Sequence, residues 1–325
     1  MANYLVTGAA GFIGARVTEM LAEAGHTVVG VDNMNTAYDV RMKEYRLGRL
    51  QSLPSFTFHQ MDISNRADVD ALEQSAGKLD AVINLAARAG VRASVENPWV
   101  FVETNTIGTL NLLELCRRGG IPKFILASTS SLYGDRNPMP FHEDANTDYP
   151  LQPYAASKKG AETMAYSYHY LHGIDVTVFR YFTVYGPAGR PDMSMFRFAQ
   201  WIAEDRPVHV NGDGRQSRGF TYVDDIARGT IQGLKPLGYE IINLGGHEVV
   251  DILELIHMLE ARIGKQAQIE FHPFHPADAL ANLACVDKAR NLLGWQPQVE
   301  LADGVTRLVD WYMQHRELAS QIITV

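Results

Sequence analysis

Apolar and polar positions alternate along the first half of the chain in two rhythms, one of strands and one of helices. Tyr4-Leu5-Val6 reads as a strand, residues 12–24 as a helix, and Thr27-Val28-Val29-Gly30-Val31 as the next strand. The same pattern returns at Phe56-Thr57-Phe58, Ala81-Val82-Ile83, Phe124-Ile125-Leu126-Ala127 and Val176-Thr177-Val178-Phe179. Strands separated by helices pair in parallel, and a parallel sheet needs both faces covered. The expected fold class is therefore α/β, with a doubly wound parallel sheet.

Beyond Gly186 the rhythm changes. Turn signals fall at Gly186-Pro187, Gly189-Arg190-Pro191 and Asn211-Gly212-Asp213-Gly214, and residues 252–263 and 301–312 read as amphipathic helices. This predicts a first unit over residues 1–186 and a smaller C-terminal α/β lobe over 187–325. Residues 220–245 could return to the first unit.

Composition narrows the partners. The 325 residues are 46% hydrophobic with a formal net charge of -8, and a sequence pI near 5.8 disfavours nucleic acid and anionic membranes. No stretch approaches the roughly 20 apolar residues that span a bilayer. No basic segment precedes a long apolar run, so no signal peptide is expected. The two cysteines, Cys116 and Cys285, lack disulfide or metal-ligand spacing and suit a reducing cytoplasm.

The run Thr7-Gly8-Ala9-Ala10-Gly11-Phe12-Ile13-Gly14 lies between the first strand and the first helix. Gly8 permits the turn, Gly11 lets backbone approach a pyrophosphate, and Gly14 allows close packing of helix on strand, with the helix N-terminus facing the anion. The second strand ends at Asp32, whose carboxylate can accept from a ribose diol and would repel a 2′-phosphate. The pattern predicts a Rossmann-type turn holding NAD. Asp62-Ile63 could meet the adenine edge, or Asp62 or Ser64 could instead cap the next helix.

Tyr154 and Lys158 stand at i and i+4 in a helical pattern, so they share one face. An ammonium beside a tyrosine favours the phenolate, and such a tyrosine can take a proton from a substrate hydroxyl. The cluster Ser128-Thr129-Ser130-Ser131 follows the preceding strand, at the sheet edge where open α/β folds place their sites.

These segments resemble the extended short-chain dehydrogenase/reductase family, in particular its nucleotide-sugar epimerases and dehydratases. The resemblance rests on residues 7–14, Asn84-Leu85-Ala86-Ala87, Asn105 with Gly108, the hydroxyl run before Tyr133-Gly134, Tyr154 with Lys158, and residues 218–225. It implies that Thr129, Tyr154 and Lys158 form the catalytic set, and that Phe12, Ile13, Asn33, Leu85, Ala86, Ala87 and Tyr181 join the cofactor site. Hydride passes from a sugar C4 to NAD in that family, and an epimerase returns it to the opposite face. Dehydratases carry Asp-Glu where this chain has Ser130-Ser131, which counts against dehydration.

Ala86-Ala87-Arg88-Ala89-Gly90-Val91-Arg92 and residues 180–193 resemble the UDP-glucuronate 4-epimerase subgroup. The resemblance implies a UDP-sugar substrate met by Arg88, Arg92, Thr129, Ser130, Ser131, Thr183 and Arg190. It places the uridine diphosphate against Val208, Arg218 and Asp278. Decarboxylases of the family hold Glu where Ser131 stands, which supports epimerisation. The alternatives left open are a neutral UDP-hexose 4-epimerase, a UDP-glucuronate decarboxylase and a non-catalytic NAD-sensing protein. The family also implies a homodimer built through a four-helix bundle of helices near residues 100–117 and 154–171. His169, His172, His272 and His275 show no zinc spacing, so no metal is expected.

Overall fold

The computed structural model describes residues 1–246, 248–274 and 282–324. The chain begins β1 (Asn3–Thr7), α1 (Phe12–Glu23), β2 (Thr27–Asp32), α2 (Arg41–Leu50), β3 (Phe56–Gln60), α3 (Arg66–Ser75) and β4 (Ala81–Asn84). Then come α4 (Val91–Glu96), α5 (Trp99–Phe101), a π-helical turn (Val102–Ile107), α6 (Gly108–Gly119) and β5 (Lys123–Thr129). A 3-10 turn (Ser130–Tyr133), α7 (Pro153–His172), β6 (Asp175–Tyr181) and β7 (Thr183–Tyr185) follow. The remainder is α8 (Ser194–Ala203), β8 (Val208–Asn211), β9 (Ser217–Tyr222), α9 (Val223–Gln232), β10 (Tyr239–Leu244), β11 (Val249–Asp251), α10 (Ile252–Ile263), β12 (Ile269–His272), α11 (Asp287–Leu293), α12 (Leu301–Gln314) and α13 (Arg316–Ala319).

Seven strands form one parallel sheet in the order β10-β6-β5-β4-β1-β2-β3. Its two faces follow from the two-residue period of each strand. Leu5, Val82, Phe124, Leu126, Val176 and Val178 enter one core with helices α3, α6 and α7. Their neighbours Val6, Ile83, Ile125 and Phe179 enter the opposite core with α1, α9 and Trp295. Every residue of β5 is buried, as expected of a central strand covered on both sides. The chain reverses its winding at β1, which has β2 on one side and β4 on the other, and a crevice opens beyond their carboxyl ends.

The second half returns to this sheet through α9 and β10, then builds small sheets of its own. β11, β9 and β7 form one, and β12 pairs with β8 in another. Helices α8, α10 and α12 close a separate apolar core over these strands. Among the described residues no helix is long and apolar enough to cross a membrane.

Candidate active site

The glycine turn is shaped by close backbone approaches. Gly8 has φ +69°, and a Cβ there would stand 2.8 Å from the Ala86 amide nitrogen. A Cβ on Gly14 would stand 2.0 Å from the Gly8 carbonyl oxygen. The Gly11 amide donates to the Gly8 carbonyl at 2.8 Å, and the Leu85 and Ala86 amides reach the Thr7 carbonyl and hydroxyl, both at 3.2 Å. Gly11 begins α1 with no side-chain cap and no acidic residue in the first turn. The first-turn amides of that helix therefore suit an anion, and the cradle fits the pyrophosphate of a dinucleotide.

Asp32 is buried at the end of β2. Among the described residues both hydrogen bonds to its carboxylate go to Oδ1, from the Met34 amide and from Lys43 Nζ, each at 2.9 Å. Oδ2 accepts none of these bonds, which suits the expected ribose contact. Asn33 donates to Asp62 Oδ2 at 2.8 Å, and Asp62 Oδ1 accepts from the Ser64 amide and hydroxyl. Burial raises the Asp62 carboxyl, but the bonds from Ser64 and Asn33 outweigh it and hold the group below its ordinary range. Asp62 thus organises its loop. The cap of α3 is neither Asp62 nor Ser64 but Asn65, whose side chain accepts from the Ala67 amide. Ile63 is buried, and its carbonyl accepts from Asn111.

Sequence reasoning missed two cations on α2. Lys43 pairs with Asp32, and Arg46 donates to the Ala10, Ala188 and Gly189 carbonyls and to the Tyr38 hydroxyl. Arg46 therefore ties the glycine turn to the segment that carries Arg190. A signal was present, since Lys43 and Arg46 fall in phase with the buried Met42, Leu47 and Leu50.

Tyr154 and Lys158 lie on the first two turns of α7. Thr129, the last residue of β5, hydrogen-bonds the Tyr154 side chain, and the Phe101 ring meets the Tyr154 ring edge-on. Burial raises the Tyr154 hydroxyl, while the Thr129 bond and the positive charge of Arg190 draw it down. Lys158 Nζ is buried and donates to the Ala127 carbonyl at 2.8 Å, and Arg190 adds a second positive charge that acts on Tyr154. Arg190 is itself paired with Asp192 through Nε and a terminal nitrogen.

Burial pushes Lys158 down to about 8 against a partial lift from Glu162. Between that value and the ordinary 10.5 the unfolded chain holds a proton at Lys158 that the folded chain lacks, so this group contributes stability that grows with pH across the window. Lys158→Met should remove that contribution, which is on the order of 3 kcal/mol. Denaturant unfolding at a series of pH values measures it, and an unchanged slope in the variant would remove Lys158 as its source.

The π-helical turn before α6 aims Asn105 inward, a common use of this geometry at functional sites. Asn105 accepts from the Arg88 amide and donates to the Arg88 carbonyl and to Ser157 Oγ, which in turn donates to the Tyr154 carbonyl. It locks the loop after β4 onto the start of α7. The hydroxyl run divides. Ser128 donates to Glu162, which is paired with the buried Arg180, and Ser130 Oγ accepts from Asn282. Thr129 Oγ1 accepts from the Ser131 amide and donates to Ser131 Oγ.

The other expected contacts separate. Arg88 reaches Asn35, and the Tyr181 hydroxyl is bonded to Thr230 while its ring stacks with Phe179 in the core. Thr183 is half-buried at the start of β7, and Arg218 lies on β9 with one nitrogen on the Ser217 carbonyl. Arg92 lines a cavity of about 410 Å³ with Arg197, Trp201, Arg206, His209, Asn211 and His272 among its walls. Val208 is corrected: its side chain is fully buried in the core, and the alternate residues His209 and Asn211 face the cavity instead. Asp278 and His275 lie outside the described residues.

The profile of the NAD dependent epimerase/dehydratase family matches residues 4–245. The UDP-glucuronate 4-epimerase of Thermodesulfobacterium geofontis is 54% identical over 323 residues, covering 99% of each chain. A crystal structure of the UDP-glucuronic acid 4-epimerase of Bacillus cereus, in complex with UDP-glucuronic acid and NAD, superposes with a TM-score of 0.90 at 38% identity. That match covers 96% of this chain and 99% of the other. The UDP-glucose 4-epimerase of Thermotoga maritima, with UDP-glucose, gives 0.89 at 30% identity over the same shares. With the glycine cradle at the switch point of the sheet and a Thr129–Tyr154 pair at its carboxyl edge, the chain belongs to the NAD dependent epimerase/dehydratase family.

Proposed function

We propose that the protein is a UDP-glucuronate 4-epimerase, interconverting UDP-glucuronate and UDP-galacturonate. The carrying observation is the 54% identity over 99% of each chain to a UDP-glucuronate 4-epimerase, together with a site in which Thr129 and Ser131 hold hydroxyls rather than acids and the Arg190 charge acts on Tyr154. An arginine there can receive a C6 carboxylate through charge-assisted bonds. The relatives named above support this choice, since the glucuronate enzymes match more closely than the glucose enzyme.

Bound NAD supplies a hydride acceptor that later returns the hydride. The protein residues manage the proton. Tyr154 removes it from the C4 hydroxyl and gives it back after the 4-keto sugar has turned over, with Thr129 relaying through its hydrogen bond. Lys158, one turn along α7 and anchored on the Ala127 carbonyl, supports the Tyr154 phenolate electrostatically. The first-turn amides of α1 hold the pyrophosphate, Asp32 Oδ2 the ribose, and Arg218 the diphosphate of the substrate.

A ketone at C4 makes the uronate a β-keto acid, which loses carbon dioxide when the C5–C6 bond aligns with the carbonyl π system. Ser131 and Arg190 hold the carboxylate out of that alignment. The test is direct: purified protein and UDP-glucuronate without added NAD should give UDP-galacturonate, followed by proton NMR. A UDP-pentose as main product would instead mark a decarboxylase, and preference for UDP-glucose would mark a neutral hexose epimerase.

A homodimer completes the reading. Val95, Trp99, Ile107, Tyr166, Tyr170 and Leu171 are exposed large apolar residues on α4 to α7, helices that pack on one another. Two copies joined through these helices would bury them. Light scattering should give twice the chain mass, falling to one chain in Trp99→Glu/Leu171→Glu; a monomeric wild type would exclude the bundle.

A further inference from the structure

β8 and β12 pair in parallel with His209 opposite Glu270 and Asn211 opposite His272. The two-residue period puts Val208 and Val210 into the core and turns His209 to the other face, with Glu270 and His272 exposed beside it. His209 Nδ1 lies 2.9 Å from His272 Nε2 and 3.3 Å from Glu270 Oε2, and one ligand atom from each residue lies within 4.8 Å of the others. A tetrahedral ion with bonds of about 2.0–2.1 Å has ligand-to-ligand edges of roughly 3.3 Å. Two of the three edges are already close to that length.

The cluster is poorly satisfied by protons alone. A proton on His209 Nδ1 can point at His272 or at Glu270, but not well at both. Placed instead on His272 Nε2, it leaves the His209 lone pair facing a carboxylate. A cation at the centre satisfies all three. Two imidazoles and one carboxylate form the donor set of zinc rather than of magnesium or calcium, which prefer oxygen. Arg92, Arg197 and Arg206 across the cavity oppose a cation, and Glu270 offsets part of that opposition. The same arginines favour water or a small anion on the open fourth position.

We infer that His209, Glu270 and His272 bind one Zn²⁺ per chain and that the ion staples β8 to β12 beside the cavity lined by Arg92. The site stands apart from the Thr129–Tyr154 chemistry, so its occupancy is read without turnover. Chelator-stripped, tag-free full-length protein is titrated with zinc against a chromophoric indicator. Wild type should bind one equivalent and melt at a higher temperature with zinc, but not with magnesium at the same concentration. His272→Ala and Glu270→Gln should each bind on the order of 100-fold more weakly, since even outer-sphere changes at zinc sites cost up to that much. All three side chains are exposed, and Glu270→Gln keeps the shape of the residue, so an unchanged zinc-free melting curve is expected in both variants. Wild type that takes up no zinc, or a His209→Ala/His272→Ala variant that takes up as much as wild type, would overturn the inference.

Discussion

Replacing Tyr154 by phenylalanine is expected to lower kcat by about 10²–10⁴-fold, the usual worth of a positioned general acid–base group, while NAD still co-purifies with the protein. The variant keeps the ring, and with it the edge contact to Phe101 and the packing at the start of α7. It loses only the hydroxyl that bonds Thr129. Nothing in the glycine cradle, Asp32 or the loop after β4 depends on that hydroxyl, so cofactor content, read from the absorbance of released NAD, should match wild type. A pH profile adds a second, signed readout. The Thr129 bond draws the Tyr154 hydroxyl down from a position raised by burial. Thr129→Val should therefore move the rising limb of kcat/KM to higher pH while leaving its plateau closer to wild type than Tyr154→Phe does. Turnover near wild type in Tyr154→Phe would end the assignment of Tyr154 as the proton carrier.

The strands of the main sheet and the glycine turn were legible because each is encoded locally. β-branched runs mark β1 to β6, and three glycines within seven positions mark the cradle. Lys43 and Arg46 were not legible as site residues because their charge argues for solvent, and only the buried side of α2 reveals them as partners of Asp32 and of the backbone carbonyls around it. Arg190 was named for the substrate, but its charge on Tyr154 depends on a tertiary approach that no spacing records. Lys158 shares the face of α7 with Tyr154 as the i and i+4 spacing predicts, and the fold adds the Ala127 carbonyl that anchors its ammonium. Val208 was misread because a four-residue strand gives little evidence of its phase, and the pairing with β12 decides which side faces the cavity. That pairing also gathers His209, Glu270 and His272, whose sequence separation hides them from any zinc-spacing rule.

Gly14→Ala is expected to be the most damaging single-methyl change in the cofactor cradle. The added Cβ would meet the Gly8 carbonyl oxygen at 2.0 Å, and that oxygen already accepts from the Gly11 amide. Relief requires α1 to back away from β1 or the Gly8 peptide to turn. Gly8 cannot turn freely, because its own φ of +69° places it within 3 Å of Ala86 and Leu85 backbone for any added atom. The helix end and the turn therefore move together, and the amides that hold the pyrophosphate lose their aim. The cost should reach or exceed the top of the usual overpacking range, roughly 3 kcal/mol, and lower Tm by about 4–5 °C or more. Gly48→Ala is the matched control. Gly48 is an exposed residue inside α2 with nothing within 4 Å of an added Cβ, so the same methyl should stabilise by up to ~1 kcal/mol through helix propensity. Calorimetric melting and NAD titration of both variants decide the matter. If Gly14→Ala melts like wild type and binds NAD with unchanged affinity, the cradle has slack that the 2.0 Å approach denies, and the close fit of helix on turn is not what holds the cofactor.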